Sequence, residues 1–290
     1  MTAMENIRVS REDLEAMVKD GESLSGLDLQ GADLQDMHLV GVDLSGANLA
    51  RSNLSQAHLY GANLQGADLF KANLAGANLN GTNLTDCNLL AANLEEARMC
   101  DVVFDKKFVV INEKQALEAY KSGDKETGRL KMAEARDVYR LLKRALEGQA
   151  HSKDVGMIFA REMIATRKLL HIYSPHRFWL KLIDLSIGYG ERIGRILASI
   201  LTIIVISAFM YGFEGLQYRD AIIQYGAGER LLDTVGNLLY FSTVVFTTVG
   251  FGDITPIGPV NKLIMMLEGF SSIIYMAMLI IAIYKRTMER

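Results

Sequence analysis

The chain has 290 residues, half of them hydrophobic, and this length allows about two domains. Its two cysteines, Cys87 and Cys100, have no spacing typical of a metal site, and a reduced, cytosolic setting for that part is the natural inference. The net charge of −3 is the sum of an acidic part and a basic part. Residues 1–105 hold 16 acidic and 6 basic side chains, whereas residues 106–290 hold 18 acidic and 25 basic ones.

The first 25 residues predict a short capping helix. They lack the basic and apolar regions of a secretory signal, so we expect the N-terminus in the cytoplasm. Residues 10–13 read Ser-Arg-Glu-Asp, which is a start of the capping-box kind, and Gly21 is a typical helix stop. We therefore expect residues 1–25 to close one end of the segment that follows.

Residues 26–105 repeat with a period of five. That period fits neither an amphipathic helix nor an alternating strand. A fixed internal period instead indicates stacked units that bury their apolar faces against their neighbours. The residue two positions before each centre is usually small, and the 16 centres are Leu29, Leu34, Leu39, Leu44, Leu49, Leu54, Leu59, Leu64, Leu69, Leu74, Leu79, Leu84, Leu89, Leu94, Met99 and Phe104.

These A-(D/N)-L-x-x units resemble the pentapeptide-repeat family. The resemblance implies a right-handed quadrilateral β-helix with four units per coil, so 16 units make four coils and a stack roughly 19 Å tall. Residues 20 apart should then lie one above the other, which places His38 over His58 and Asp43 beneath Asn63 and Asn83. Two histidines are too few for a closed metal site, so we expect this pair to be solvated.

Acidic pentapeptide-repeat proteins include DNA mimics that occupy topoisomerase grooves. Binding of a nucleic-acid-binding protein is therefore an alternative function for residues 26–105 taken alone. It does not account for the second half of the chain, and we expect no nucleic acid as a partner.

Residues 106–175 predict a helical connector. Two amphipathic sets indicate an antiparallel helical pair, with Gly148 ending the first helix and Asp154 capping the second. The first set is Val138, Leu141, Leu142 and Ala145, and the second is Ile158, Phe159, Met163, Ile164 and Leu170.

Residues 176–191 predict a helix lying in the membrane interface. After Pro175 the sequence mixes aromatic and apolar side chains with basic ones, which suits that location. A buried helix of a soluble domain is the alternative, and the adjacent apolar segment favours the interface.

Residues 192–290 contain two candidate spans, at 193–213 and 263–284, and about 20 apolar residues suffice to cross a membrane. Basic residues flank them at Arg192, Arg195, Lys285, Arg286 and Arg290. By the positive-inside rule both termini are cytoplasmic, and these charges suit an anionic leaflet of the plasma or inner membrane.

Between the spans, residues 231–246 predict a short re-entrant helix that enters from the outside. The partial negative charge at its C-terminal end favours a cation. It runs into residues 247–253, Thr-Thr-Val-Gly-Phe-Gly-Asp. Irregular backbone at membrane depth is tolerated only where it lines a cavity, and Gly250 and Gly252 allow positive φ at alternate positions.

The heptapeptide resembles the selectivity filter of potassium channels, with Phe251 where tyrosine is more usual. The resemblance implies that backbone carbonyls replace the hydration shell of K⁺, and that K⁺ is bound without any cofactor. The implied ion-binding residues are Thr248, Val249, Gly250, Phe251 and Gly252, with K⁺ coordinated by the first four. The implied supports are Thr247, Asp253, Tyr240, Phe241 and Glu268.

Two departures from the family pattern affect the stability and inactivation of the filter, not cation selectivity as such. Phe251 lacks the hydroxyl of tyrosine, and Val244 stands where some members carry an acidic residue. Glu268 is a carboxylate inside a span, for which we expect a structural contact behind the re-entrant helix, with an ion or proton relay as the alternative.

The second span also supplies candidates for a gate. Gly269, or the pair Ser271 and Ser272, is the candidate bend. Three more residues are candidates for a hydrophobic constriction, although core packing explains them almost as well. Those three are Met276, Ile280 and Tyr284, which share one helix face.

The sequence thus predicts a multidomain membrane protein: a β-helix, a helical connector and a two-helix pore domain. We expect a passive homotetrameric potassium channel whose N-terminal domain assists assembly or gating. The alternatives are a weakly selective cation channel and a membrane-tethered interaction protein. No P-loop, G-x-S-x-G or H-E-x-x-H motif indicates an enzyme, and no third span carries the regularly spaced arginines of a voltage sensor.

Overall fold

The computed structural model describes residues 10–147, 149, 154–190, 193–219, 221–226 and 230–288. The chain divides into two compact units, Met1–Lys181 and Leu182–Arg290. Three residues used in the sequence predictions, Gly148, Arg192 and Arg290, lie outside the described residues.

Helix α1, Arg11–Lys19, covers the first coil of the β-helix. The predicted capping box is present, because the Ser10 hydroxyl accepts the Asp13 N–H while the Asp13 carboxylate accepts the Ser10 N–H. Leu14 is buried in the same core as the coils. The Arg11 guanidinium, at the first position of α1, donates to the carbonyl oxygen of Gln35 at 2.8 Å. The helix therefore also satisfies a polar group of the first coil.

The pentapeptide repeats form the predicted β-helix. Parallel bridges join residues 20 apart, from Asp28 and Asn48 to Asn83 and Val103, and the central leucines are buried. The core begins one unit before the predicted start at residue 26. Leu24 is also buried, and its N–H donates to the carbonyl of the coil above at 2.9 Å.

Side-chain amides form ladders along three faces of the β-helix. Asn73 Nδ2 donates to Asn53 Oδ1 at 3.2 Å, and Asn53 Nδ2 donates to Asp33 Oδ1 at 3.0 Å. Equivalent bonds join Asn93 to Asn73, Asn83 to Asn63, Asn63 to Asp43, Asn48 to Asp28 and Asn88 to Asp68. Each amide donates toward the N-terminal coil, so every ladder ends on a carboxylate acceptor.

Asp68 interrupts one ladder, since a carboxylate has no proton to donate to Asn48. We expect Asp68→Asn to supply that hydrogen bond while still accepting from Asn88, and to raise the free energy of unfolding of the β-helix by about 1 kcal/mol. Thermal denaturation of the purified chain measures the change. The matched control is Asp33→Asn, because Asp33 is the last acceptor of its ladder. Equal effects of the two substitutions would contradict the ladder argument.

The connector contains three helices, not the predicted pair: α2, Ile111–Lys121; α3, Lys125–Leu146; and α4, Val155–Leu169. The sequence missed α2 because its buried residues are Asn112, Glu113 and Ala116, of which two are polar and leave no apolar periodicity. Asp154 occupies the N-cap position of α4, as expected, but its side chain makes no capping hydrogen bond there.

Buried carboxylates hold these three helices together. Glu113 of α2 accepts from the Tyr139 hydroxyl of α3 at 2.6 Å and from Lys168 of α4 at 3.1 Å. Glu162 of α4 accepts from Lys143 of α3 at 2.7 Å. Because removing one partner of a buried charge pair is costly, the packing of the connector depends on these ion pairs as well as on its apolar core.

Gln149 closes the C-terminal end of the β-helix. Its side-chain amide donates to the Ala97 carbonyl at 2.8 Å and accepts from the Met99 N–H at 2.7 Å. These are the backbone groups that a fifth coil would pair. The side-chain amide therefore takes the place of a peptide group at an otherwise open edge.

Lys114 of α2 joins the connector to the last coil through Asp86 at 2.5 Å and Asp105 at 3.1 Å. The Lys107 N–H and the Lys114 ammonium hold the pKa of Asp105 below its usual value. This lowered pKa stabilises the folded state above the unfolded pKa of about 3.9, and the contribution is lost as pH falls through the folded pKa.

We expect Lys114→Met to lower stability at neutral pH by about 1 kcal/mol or less, because the pair is partly exposed. The difference between wild type and variant should shrink below about pH 4 as the carboxylate becomes protonated. Urea denaturation of the purified chain at pH 7 and below pH 4 measures it. The exposed Lys121 provides the matched control, Lys121→Met. A difference that stays constant with pH would contradict this origin.

The chain enters the second unit through α5, Pro175–Ile187, and a 3₁₀ turn, Gly188–Gly190. Helix α5 ends before the predicted residue 191 because Tyr189 adopts a left-handed conformation with φ 57°. The first long apolar helix, α6, follows as Ile193–Glu214. Arg195 of α6 binds the Asp184 carboxylate of α5 at 2.7 Å, so the two helices are tied across this turn.

Two more helices complete this unit. Helix α7 is Leu231–Phe246, which are the predicted bounds. Helix α8 is Gly258–Met288, longer at both ends than the predicted 263–284. Helix α6 and the Gly258–Tyr284 part of α8 are each long and apolar enough to cross a membrane.

Helix α8 begins early because α6 caps it. The Asn261 N–H donates to the Glu214 carboxylate at 3.0 Å, and the Asn261 amide donates to the carbonyls of Tyr211 and Gly215 at 3.0 and 2.8 Å. Gly258 has φ +77°, and a Cβ there would collide with the Glu214 carboxylate. Hydropathy alone does not predict this first turn of α8, because the residue that fixes it, Asn261, is polar and buried.

A small antiparallel sheet that the sequence did not predict lies outside the helices. It contains β1, Leu216–Tyr218; β2, Ala221–Ile223; and β3, Ile254–Pro256, in the order β2-β1-β3. Strand β1 pairs with both neighbours, so the segment after α6 is fixed to the segment that follows residue 253.

Candidate functional site

The segment 247–253 leaves α7 through a hydrogen-bonded turn. Thr247 is the C-cap of α7, and its hydroxyl donates to the Thr243 carbonyl at 2.8 Å. The N–H of Thr248 donates to the Val245 carbonyl at 3.0 Å, and the next N–H donates to the Val244 carbonyl at 3.2 Å. The last carbonyls of the helix are thus satisfied by the segment itself.

Three alternate residues of this segment have left-handed backbones: Thr248, Gly250 and Gly252, with φ of 58°, 54° and 74°. Positive φ at both glycines agrees with the sequence analysis, whereas Thr248 was not expected to share it. Alternation of this kind lets successive carbonyls turn to the same side. Chemically, such a row of oxygens is a ligand set for a cation without its water shell.

The apolar side chains of the segment lack packing partners within one chain. Val249 is 54 % exposed and Phe251 is 68 % exposed.

The predicted aromatic pair makes two different contacts. The Tyr240 hydroxyl donates to Asp253 Oδ2 at 3.3 Å, which ties the end of the segment to α7. Phe241 is buried and packs edge-on against Tyr211 of α6, with ring centroids 4.9 Å apart. One aromatic residue therefore contacts the segment, and the other anchors α7 to α6.

Glu268 lies where α6, α7 and α8 meet. It is 2 % exposed, and its Oε2 accepts from the Tyr211 hydroxyl at 2.7 Å. The Ser242 hydroxyl of α7 is within hydrogen-bond distance of Glu268 Oε1 and of the Ile204 carbonyl, the latter at 2.9 Å. This geometry is that of a contact behind α7.

The sequence analysis missed four residues of this framework: Tyr211, Glu214, Ser242 and Asn261. Their common signal is a polar side chain inside or beside an apolar helix, which is costly unless paired. In the structure each of them bonds to a different helix or to the loop after α6.

The candidate gate residues lie along α8, which is continuous through Gly269 and Ser272. The Ser272 hydroxyl is buried and donates to the Gly269 carbonyl at 2.8 Å. Met276, Ile280 and Tyr284 are exposed within one chain. Their assignment to a gate stays a prediction.

Metal chemistry has no evident place in the described residues, and Cys87 is a buried thiol. Within those ranges, no group of three or more His, Cys, Asp or Glu side chains is arranged to hold a metal ion. The rings of His38 and His58 stack at 4.6 Å on the surface of the β-helix, as the repeat predicts. Burial raises the pKa of Cys87 to about 12, so this thiol is unreactive.

Comparisons with known proteins agree with this division. The pentapeptide-repeat family matches residues 28–66, 38–74 and 67–105, and the ion channel family matches residues 199–289. Neither is a family of enzymes. No curated protein matches the chain.

Solved structures match the repeats. A pentapeptide repeat protein from Nostoc Pcc 7120 is 37 % identical over 31 % of this chain and 75 % of its own, with a TM-score of 0.31. One from the cyanobacterium Cyanothece 51142 is 39 % identical over 29 % of this chain and 54 % of its own, with a TM-score of 0.23.

Proposed function

We propose that this chain, which belongs to the pentapeptide-repeat family and carries an ion channel domain, forms a homotetramer that conducts K⁺ passively across a membrane. The observation that carries the proposal is the alternation of left-handed residues at 248, 250 and 252, between two helices that are able to span a bilayer. Carbonyls aligned in this way replace the hydration shell of a potassium ion.

Assembly of four copies follows from what one chain lacks. Each chain supplies one segment 247–253 and two spans, which do not enclose a pore. The exposed side chains of Val249 and Phe251 offer surfaces that neighbouring copies would cover. Four segments around a common axis would then form the filter, with Tyr240 and Asp253 supporting it from behind.

Orientation and localisation follow from charge and surface. Basic flanks place both termini on the cytoplasmic side of the plasma or inner membrane, facing anionic lipid. On α5, Phe178, Trp179 and Leu185 are exposed, which suits a helix in the membrane interface. The pair between Arg195 and Asp184 would pass a displacement of α5 to α6.

Potassium flux into liposomes tests the proposed function. Purified chain reconstituted in vesicles should allow K⁺ efflux that barium blocks, with reversal potentials set by K⁺ when Na⁺ is present. A reversal potential that follows both ions would favour the weakly selective cation channel. Absence of flux from folded tetramers would overturn channel function and favour a membrane-tethered interaction protein.

Deleting residues 1–105 tests the role of the N-terminal domain. We expect a changed open probability or a lower yield of tetramers, because the connector and α5 join this domain to the pore in the sequence. Single-channel recording and size-exclusion chromatography with light scattering measure the two quantities. Unaltered currents together with unaltered assembly would contradict a role in either process.

A further inference from the structure

One face of the β-helix differs from the other three in charge. We call it the neutral face: His38, Val40, His58, Tyr60, Asn78 and Asn80 in the first three coils, below which the fourth coil continues the same side with the exposed Arg98. None of the neutral-face residues carries a formal charge with histidine neutral. Each of the other three faces carries aspartate in those coils. One face carries Asp28 and Asp68, the next carries Asp33, and the last carries Asp43.

The neutral face is also where apolar side chains are open to solvent. Val40 and Tyr60 are each 57 % exposed, and within these three described coils they are the exposed large hydrophobic residues. The rings of His38 and His58 stack with an interplanar angle of 12°, fixed by a parallel bridge between their backbones. A surface held in place by backbone pairing loses little entropy when it is covered.

Charge identifies the occupant as another copy of the same face. Residues 1–105 carry 16 acidic and 6 basic side chains, so two such domains repel each other when their acidic faces meet. The neutral face lets two copies approach without bringing like charges together. A strongly basic partner, by contrast, would be drawn to the aspartate-bearing faces.

The small area of the neutral face also favours another copy of this chain as the occupant. Three rungs, each with two outward-facing positions, measure roughly 10 Å by 7 Å. That is far less than the roughly 800 Å² per partner that a stable complex of free proteins buries. A patch this small holds only a partner that is already tethered, for which the effective concentration is on the order of millimolar.

We propose that the β-helices of the tetramer pair side by side through the neutral face, with the same residues contributed by both copies. The inference rests on the proposed function because the pore domains of the tetramer are what hold the β-helices close together. The cytoplasmic domains would then form two pairs, and each pair is a contact through which one subunit influences another.

Disulfide cross-linking of the full-length chain tests the pairing. In a Cys100→Ser background, where the remaining Cys87 is buried, Tyr60→Cys should give a covalent dimer on mild oxidation. The matched control is Gln30→Cys, an exposed residue at the same repeat position as Tyr60 but on the face opposite the neutral face. Dimer yield at least tenfold higher for Tyr60→Cys supports pairing. Equal yields, or a cross-linked band of another mass, would overturn it.

Placing a charged residue on the neutral face distinguishes loss of pairing from damage to the fold. Val40→Cys serves as the cross-linking position, again with Cys100→Ser. Adding Tyr60→Glu, or adding Tyr60→Lys, should reduce the dimer yield about tenfold, because like charges then oppose each other. Co-expression of the two variants should restore the yield. Failure of the mixture to restore it would count against the paired faces.

The mass of the detergent-solubilised protein, measured on the same samples, separates the two proposals. A tetramer without the Tyr60→Cys cross-link overturns the pairing and leaves the channel proposal standing. A monomer overturns the tetrameric channel, and the pairing falls with it. A tetramer that yields the cross-linked dimer supports both.

Discussion

Replacing Gly250 with alanine is expected to abolish potassium flux in reconstituted liposomes. Gly250 has φ +54°, a conformation that costs an alanine roughly 1–2 kcal/mol. The backbone relieves this strain by rotating, which turns a carbonyl away from the row formed with Thr248 and Gly252. In the proposed tetramer all four copies would carry the change, so one ring of ligands would be lost from the whole pore, and flux should fall to the level of empty vesicles.

The matched control is Gly236→Ala. Gly236 lies inside α7, and a Cβ there meets nothing within 4 Å. Alanine favours a helix by about 1 kcal/mol over glycine, so this variant should fold and conduct. Size-exclusion chromatography establishes that both variants assemble. Wild-type flux through an assembled Gly250→Ala channel would refute the assignment of 247–253 as a filter.

Replacing Glu268 with alanine is expected to lower the thermal stability of the assembled protein by about 2–4 kcal/mol. The change leaves the buried hydroxyl of Tyr211 without its acceptor and opens a cavity between three helices. Ser242 keeps the Ile204 carbonyl as an acceptor, so its share of the loss is small. Temperature-dependent size-exclusion chromatography of the detergent-solubilised protein measures the effect.

Two further variants separate a structural role of Glu268 from an ion or proton relay. Glu268→Gln keeps an acceptor for Tyr211 and supplies a donor to Ser242, so it should retain stability and flux. Combining Glu268→Met with Tyr211→Phe removes both partners and should be less harmful than either change alone. Loss of flux in a stable Glu268→Gln protein would instead favour the relay.

The repeat and α7 were predictable because both leave periodic or contiguous signals. Sixteen centres spaced by five residues define the coils, and the bounds of α7 coincide with an apolar run between loop residues. Leu24 was missed since its unit, Gly-Glu-Ser-Leu-Ser, lacks the small residue two positions before the centre. The structure includes it because burial requires only the leucine.

The elements that the sequence analysis missed depend on polar pairs between segments far apart in sequence. Helix α2 buries Asn112 and Glu113, and the first turn of α8 depends on Glu214 from another helix. Strands β1 to β3 have three residues each, too few for an alternating pattern to be recognised. Hydrophobic periodicity contains no information about such pairs, so these elements follow only from three-dimensional packing.

Sealing of both ends of the β-helix has a consequence for behaviour in a crowded membrane. A stack of coils with free edges would add further copies head to tail and grow into filaments. Helix α1 covers one end, while at the other end the connector packs on the core and Gln149 occupies the peptide positions beside Ala97 and Met99, so growth along the stack is blocked. Copies of the protein can therefore be packed densely without linear polymerisation.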